Sequence, residues 1–202
     1  MNVAALLARL ASRGLRHAAH CLRCRRVLLA LCAPLLAAGA LHAAVLQEYQ
    51  VKAIFLFNFT QFVEWPPTSF AASDAPLAIC VLGNDPFGNY LDDALRNETV
   101  NERRLVVRRY RSIDDVSGCQ ILFIGQSEIA HVEAALAHVA NTGTLTVSDT
   151  HDFIAHGGMV GFVTADNHVR LHINAAAARS AGLTVSSKLL RVAESDSAGG
   201  AR

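Results

Sequence analysis

The 202-residue sequence has few charged and few aromatic side chains. Charged residues make up 17% of the chain and aromatic residues 6%, with a single Trp, whereas apolar residues reach 52%. This apolar excess excludes an intrinsically disordered chain, and the length suits one globular domain. The formal net charge of +1 provides no overall attraction for nucleic acid. The composition therefore predicts a single folded domain.

The first 43 residues contain no acidic side chain. They hold six arginines, while the rest of the chain has twelve Lys and Arg against seventeen Asp and Glu. A basic segment at 23–26, an uncharged apolar run at 27–38 and the small residues that follow have the three-part pattern of a secretory signal. The apolar run is shorter than the ~20 residues that a bilayer crossing requires. We expect export and cleavage near Ala43 or Ala40, with an uncleaved anchor helix as the alternative.

Cysteine is scarce once the signal is removed, because only Cys80 and Cys119 remain in the mature chain. Two cysteines in an oxidising compartment most simply form one disulfide. Both lie in strand-like runs, at 77–82 and 119–124, so neighbouring strands can bring them together. Two buried free thiols are the alternative, and the CxxC spacing of a redox-active pair is missing.

Apolar periodicity divides the mature chain into short strands and helices. It predicts a helix from Leu46 to Trp65, which Pro66 and Pro67 end, and another helix that opens at Ser127 and runs to about Ala140. The other predicted elements are strands at 77–82, 105–110, 119–124 and 145–147, helices at 87–96, 175–181 and 186–190, and a hairpin of 159–164 with 168–173.

This alternation of strands and helices predicts an α/β fold. We expect a layered, mostly parallel β-sheet flanked by helices, with an antiparallel hairpin near the C-terminus. The predicted organisation is a signal peptide over residues 1–43, a single domain over 44–194 and a flexible tail over 195–202.

The sequence contains no recognisable catalytic or cofactor motif. The segment 83–88 lacks both the Walker and the dinucleotide-binding patterns. His168 and His172 could share a strand face, but no zinc-site spacing supports them as ligands. We predict a protein that is not an enzyme and carries no metal or cofactor. A hydrolase that uses Ser148 or His151 is the alternative, although no GxSxG motif is present.

A basic strand and the hairpin supply candidate contacts for an anion. Alternation along the strand puts Arg109 and Arg111 on one face, and Arg170 lies in the hairpin. A second alternative function is therefore a sensor of a small anionic ligand, bound at the carboxyl ends of the parallel strands. A solvated strand edge protected by charge is the simpler explanation of Arg109 and Arg111.

A series of motifs resembles, in order, the YfiR family over about residues 46 to 193. The matching segments are EYQVKAIFLFN at 48–58, FVEWP at 62–66, ICVLG at 79–83, DPFG at 85–88, CQILFI at 119–124, LTVSD at 145–149, GGM at 157–159, VRLHIN at 169–174, AGL at 181–183 and SSKLL at 186–190. Ten motifs in order are far more specific than any one of them.

The resemblance implies a periplasmic regulator that binds and represses the periplasmic sensor region of an inner-membrane signalling protein. That protein is expected to be a diguanylate cyclase of the YfiN type, so repression would lower cyclic di-GMP and disfavour biofilm. The family is often dimeric, which implies a homodimer, and no membrane insertion is expected after cleavage. Cys80 and Cys119 look like the family's disulfide pair, whereas the loop at 149–158 has no cysteine for a second pair.

Binding without chemistry would act through differential affinity for one state of the partner. The candidate contacts are Phe153 and Ile154 in the loop, with Leu171 and His172 from the hairpin. The alternative is that Phe153 and Ile154 fill the core.

Overall fold

Residues 45, 47–166 and 168–199 are described by the computed structural model. The predicted signal peptide, with its cleavage sites at Ala40 and Ala43, lies outside the described residues. None of the helices formed by these described residues is long and apolar enough to cross a bilayer.

Strands and helices alternate along the described chain. The strands are β1 (Val63–Glu64), β2 (Leu77–Leu82), β3 (Thr99–Val100), β4 (Arg103–Tyr110), β5 (Ile121–Ile124), β6 (Leu145–Ser148), β7 (Val160–Ala165), β8 (His168–Ile173) and β9 (Thr184–Val185). The α-helices are α1 (47–62), α2 (Asn89–Leu95), α3 (Val132–His138), α4 (Ala175–Ser180) and α5 (Ser187–Gly199), and short 3-10 helices lie at Pro67–Ser69, Ile113–Asp115 and Gln126–His131.

The central sheet has the strand order β3-β4-β2-β5-β6-β7-β8. Strands β4, β2, β5, β6 and β7 run parallel, while β3 and β8 pair antiparallel at the two edges. A separate two-stranded sheet joins β1 to β9. The predicted α/β fold, with its mostly parallel sheet and antiparallel C-terminal hairpin, is confirmed.

The core divides into two clusters on opposite faces of the sheet. Alternate residues of β2 show the division, because Ile79 and Val81 pack in the larger cluster with α1, α2 and α5. Ala78, Cys80 and Leu82 pack instead in the smaller cluster with α3. All six residues of β2 are buried, as is typical of a strand covered on both faces.

The first helix ends earlier than the apolar spacing predicts. Helix α1 stops at Phe62 rather than at Trp65, because the next two residues pair with β9, with Val63 opposite Val185. The backbone N–H of Ser186 also donates to the carbonyl of Phe62 at 2.9 Å. A contact with a segment more than 100 residues away therefore sets this boundary, and no local signal marks it.

The helix predicted to open at Ser127 begins differently. Residues 126–131 form a 3-10 helix, and α3 follows it. The Ser127 hydroxyl accepts a hydrogen bond from the backbone N–H of Asn84 at 2.9 Å, so it ties down the turn after β2 instead of capping the helix. Ile129, which lies in this 3-10 helix, is 59% exposed.

Candidate functional site

A cleft of about 600 Å³ opens where β6 ends. Its wall is formed by the loop at 149–155, by residues 161–164 of β7, and by His172 of β8. The carboxyl ends of parallel strands are where open α/β sheets usually bind their ligands. The cleft is therefore the candidate functional site.

A buried ion pair joins this loop to α1. The ammonium nitrogen of Lys52 lies 2.6 Å from Asp149 Oδ2, and the two side chains are only 1% and 3% exposed. The same nitrogen lies 2.5 Å from Glu48 Oε1 and 4.3 Å from the centre of the Tyr49 ring. The Tyr49 hydroxyl donates to Asp149 Oδ2 at 2.8 Å. Since buried charges are stable only when paired, these contacts hold the loop against the helix.

The pKa shifts of Glu48 and Tyr49 keep both side chains in the protonation state that their hydrogen bonds require. Burial raises the pKa of Glu48, but the hydrogen bonds to Lys52 and Thr164 outweigh it and leave this pKa below its ordinary value. Burial, together with the negative charge of Asp149, raises the pKa of Tyr49, so the phenol keeps its proton and continues to donate. Among the described residues, Asp149 Oδ1 is buried and has no hydrogen-bond partner.

The four predicted partner contacts divide into two buried and two accessible residues. Phe153 is 2% exposed in the smaller core cluster, and Leu171 is fully buried in the larger one. Neither can touch a partner in this conformation. Ile154 is partly exposed and His172 is exposed, and both line the cleft. The two accessible residues therefore stay candidates for contact, while Phe153 and Leu171 support the surface from below.

The Phe153 ring fits against Gly158, which closes the loop. A Cβ atom at Gly158 would lie 2.3 Å from two ring carbons of Phe153. We expect Gly158→Ala to lower the free energy of unfolding by about 1–3 kcal/mol, because overpacking forces a core side chain out of its rotamer. Urea denaturation measures this loss. The double variant Gly158→Ala/Phe153→Leu should recover part of it, and equal stability of Gly158→Ala and wild type would contradict the contact.

The three arginines proposed for anion binding do not meet. Arg109, on β4, lies 2.6 Å from Asp85 and also contacts Asp92, so two carboxylates use its donors. The hydrogen bond to Asp92 is the largest of the causes that raise the pKa of Arg109. Arg111 is exposed just beyond β4, and Arg170 lies on β8, with four strands between β4 and β8 in the sheet. These arginines therefore form no common anion site.

Ser148 and His151, the residues that a hydrolase would use, also have contacts typical of structural roles. Ser148 is fully buried; its hydroxyl donates to the Ile124 carbonyl at 2.7 Å and accepts from the Thr150 backbone N–H at 3.0 Å. The His151 side chain is 87% exposed and lies 2.6 Å from Asp152. The partners of the Ser148 hydroxyl are Ile124 and Thr150, and within the described part of the chain it forms no hydrogen bond with His151. Within the same residues, no group of three His, Cys, Asp or Glu could hold a metal ion.

A disulfide joins Cys80 of β2 to Cys119, with their Cα atoms 5.9 Å apart. Both cysteines are at least 95% buried in the smaller core cluster. The predicted pairing is confirmed. The bond links β2 to the segment that leads into the neighbouring strand β5.

Sequence reasoning missed the most buried charge of the described chain. Lys52 and Asp149 lie within the matched motifs at 48–58 and 145–149, but no ion pair between them was predicted from the sequence. A signal was present, because Lys52 lies in a helix with aromatic residues on most sides. Such a helix must bury most of its surface, and a buried lysine requires an acidic partner. That partner is 97 positions away, so no sequence pattern identifies Asp149.

The sheet topology, the cleft and the internal ion pair define an α/β domain with a candidate binding site at the carboxyl end of β6. The model of the YfiR/HmsC-like family matches residues 49–194, and the chain belongs to this family. The resemblance noted in the sequence is thereby confirmed. Membership indicates a periplasmic regulator in cyclic di-GMP signalling.

Other comparisons add little. No curated protein matches the chain. A crystal structure described as a conserved domain protein from Vibrio cholerae is similar, with 12% identity and a TM-score of 0.44. The similarity covers 57% of this chain and 53% of that one, so this chain spans about half of its length.

Proposed function

We propose that this protein is exported to the periplasm and represses an inner-membrane signalling protein by binding its periplasmic sensor region. The target we infer is a diguanylate cyclase, so that binding lowers cyclic di-GMP. The observation that carries this proposal is the family match over residues 49–194, nearly the whole predicted domain. Pairing of the protein into a homodimer is part of the same proposal.

The surface that we assign to the partner is the outer side of the cleft. Ile154 and His172 contribute an apolar and a polar contact there, and Val163 beside them is 40% exposed. Ile154 lies over the strand, since a Cβ atom at Gly161 would come within 3.2 Å of it. An exposed apolar patch next to polar groups is a usual feature of protein-binding surfaces.

A rigid base below this surface suits a repressor. The Lys52–Asp149 pair and the buried Phe153 fix the loop from underneath. A regulator shifts the equilibrium of its target only by the difference in its affinity for the two states. A preformed surface loses little ordering entropy on binding, so more of its contact energy is available for that difference.

Replacement of Ile154 by aspartate tests the surface. We expect Ile154→Asp to weaken binding of the sensor region of the cyclase at least tenfold, because a desolvated charge at an apolar contact costs more than about 1.4 kcal/mol. Isothermal titration calorimetry with the purified sensor region measures this. Ile129→Asp is the matched control, since Ile129 is 59% exposed and lies outside the cleft. Equal affinities of the two variants would contradict the assigned surface.

A cellular measurement tests the function itself. Deletion of the gene should raise cyclic di-GMP, and the wild-type protein supplied with its leader should lower it again. Ile154→Asp should fail to do so although it accumulates in the periplasm as an oxidised, folded protein. Unchanged cyclic di-GMP after deletion would contradict the proposed function.

A further inference from the structure

The wall of the cleft carries two carboxylates, and one of them has an unsatisfied oxygen. Asp149 and Asp152 line the cleft together with His151 and His172, and no Lys or Arg is among the lining residues. His151 Nδ1 lies 2.6 Å from Asp152 Oδ2, which leaves Asp149 as the carboxylate available to a ligand. Lys52 contacts Asp149 from α1, but Glu48 shares that ammonium, so the three groups together carry a formal charge of −1. Lys52 and Tyr49 both donate to Oδ2 of the Asp149 carboxylate. Oδ1 has no donor among the described residues.

A buried carboxylate oxygen without a donor lowers the stability of the fold, because it has lost its hydrogen bonds to water and forms none with the protein. A ligand with a positively charged N–H group would supply the missing donor to Asp149 Oδ1 and would neutralise the net negative charge of the three groups. The rest of the wall is suited to an apolar body, since Ile154, Phe162 and Val163 contribute to it. The Phe162 ring is buried against Phe55 and Phe59 of α1, so the accessible apolar surface of the cleft comes from Ile154 and Val163.

We propose that this cleft binds a small organic ammonium ion, with the charged end at Asp149 and an aromatic or aliphatic body over the β7 wall. The ligand class is opposite in charge to the anion expected from the arginines of the sequence. The site goes beyond the proposed repressor function, because it requires no partner protein.

Access to Asp149 Oδ1 requires a small displacement of the loop, since that oxygen is shielded from solvent. The outer part of the loop is fastened to α3 by His156, whose Nδ1 lies 3.0 Å from Glu133 Oε1. Both side chains are exposed, at 47% and 80%, and exposed pairs of this kind contribute little stability. The outer end of the loop can therefore move, while Lys52 and the buried Phe153 hold its base in place.

Three probes of similar shape and different charge test the proposal with the oxidised, exported protein. Phenethylamine should bind at pH 7 at least ten times more tightly than 2-phenylethanol, and 3-phenylpropionate should not bind, as measured by calorimetry. Backbone amide NMR shifts caused by the amine should concentrate at 149–155 and 161–164. Equal binding of amine and carboxylate would overturn the proposal. Failure of the amine to bind would do the same, and would leave a water molecule as the partner of Asp149 Oδ1.

Two variants test whether the negative charges of Glu48 and Asp149 attract the amine. Glu48→Gln removes one negative charge at a side chain that is 27% exposed, and we expect it to weaken amine binding several-fold. Asp149→Asn should abolish binding, and Glu48→Gln keeps the test decisive if Asp149→Asn does not fold. Asp166→Asn is the control, because Asp166 is 88% exposed and outside the wall. If Asp166→Asn and Glu48→Gln lower the affinity for the amine by the same factor, the proposed site is wrong.

Discussion

Replacing Lys52 with methionine is expected to lower the free energy of unfolding by about 3–5 kcal/mol. Lys52 is 1% exposed and supplies the nearest positive charge to Asp149, which is itself 3% exposed. Without the ammonium, a buried carboxylate keeps only the Tyr49 hydroxyl as a donor. The cost is therefore that of an unpaired buried charge and not merely that of a lost contact. Urea denaturation followed by circular dichroism measures it.

A matched control separates the buried ion pair from a general effect of losing a lysine. Lys188 is exposed and lies 5.1 Å from the centre of the Phe62 ring, so Lys188→Met should cost at most about 1 kcal/mol. The double variant Lys52→Met/Asp149→Leu should recover part of the loss, since neither charge is then left alone. A cost for Lys52→Met no larger than that for Lys188→Met would refute the buried pair.

Removal of the disulfide by Cys80→Ala/Cys119→Ala is expected to cost about 4 kcal/mol. The two cysteines are 39 positions apart, and the bond limits the freedom of the unfolded chain over that whole loop. The native state should keep its fold, because alanine occupies less space than cysteine at both buried positions. The measurement is the urea midpoint of the oxidised protein against that of the double variant.

Reductant provides the control for this second prediction. Wild-type protein in excess dithiothreitol should unfold near the midpoint of the double variant, whereas the variant itself should not respond to reductant. Labelling of unfolded protein should find no free thiol before reduction and two after it in the cleaved chain. An oxidised wild type that is no more stable than the variant would show that the bond adds nothing to stability.

Local patterns predicted the strands well, for a physical reason. The run at 77–82 is apolar throughout because β2 lies in the middle of a parallel sheet and is covered on both faces. The hairpin of β7 and β8 follows from alternation around a polar turn, and both predicted strands are confirmed. Information that lies within one element is enough for such predictions.

The contents of the candidate site depended on distant pairs and could not be predicted in the same way. The sequence indicated the loop and the hairpin, and Ile154 and His172 do line one cleft. It could not show that Phe153 points inward, because an apolar loop residue suits a surface contact and a core plug equally well. Nor could it show that Arg109 is already paired with two carboxylates, since Asp85 lies in the turn after β2 and Asp92 lies in α2.

The order in which the contacts of α1 become available has a consequence for synthesis. The Phe55 and Phe59 rings of this helix pack on Phe162, and its Lys52 pairs with Asp149. The two residues that follow the helix pair with β9. All of these partners emerge from the ribosome about a hundred residues later. The apolar surface of α1 is therefore exposed for most of the time during which the chain is synthesised. We expect a holding chaperone to bind the nascent chain over this period.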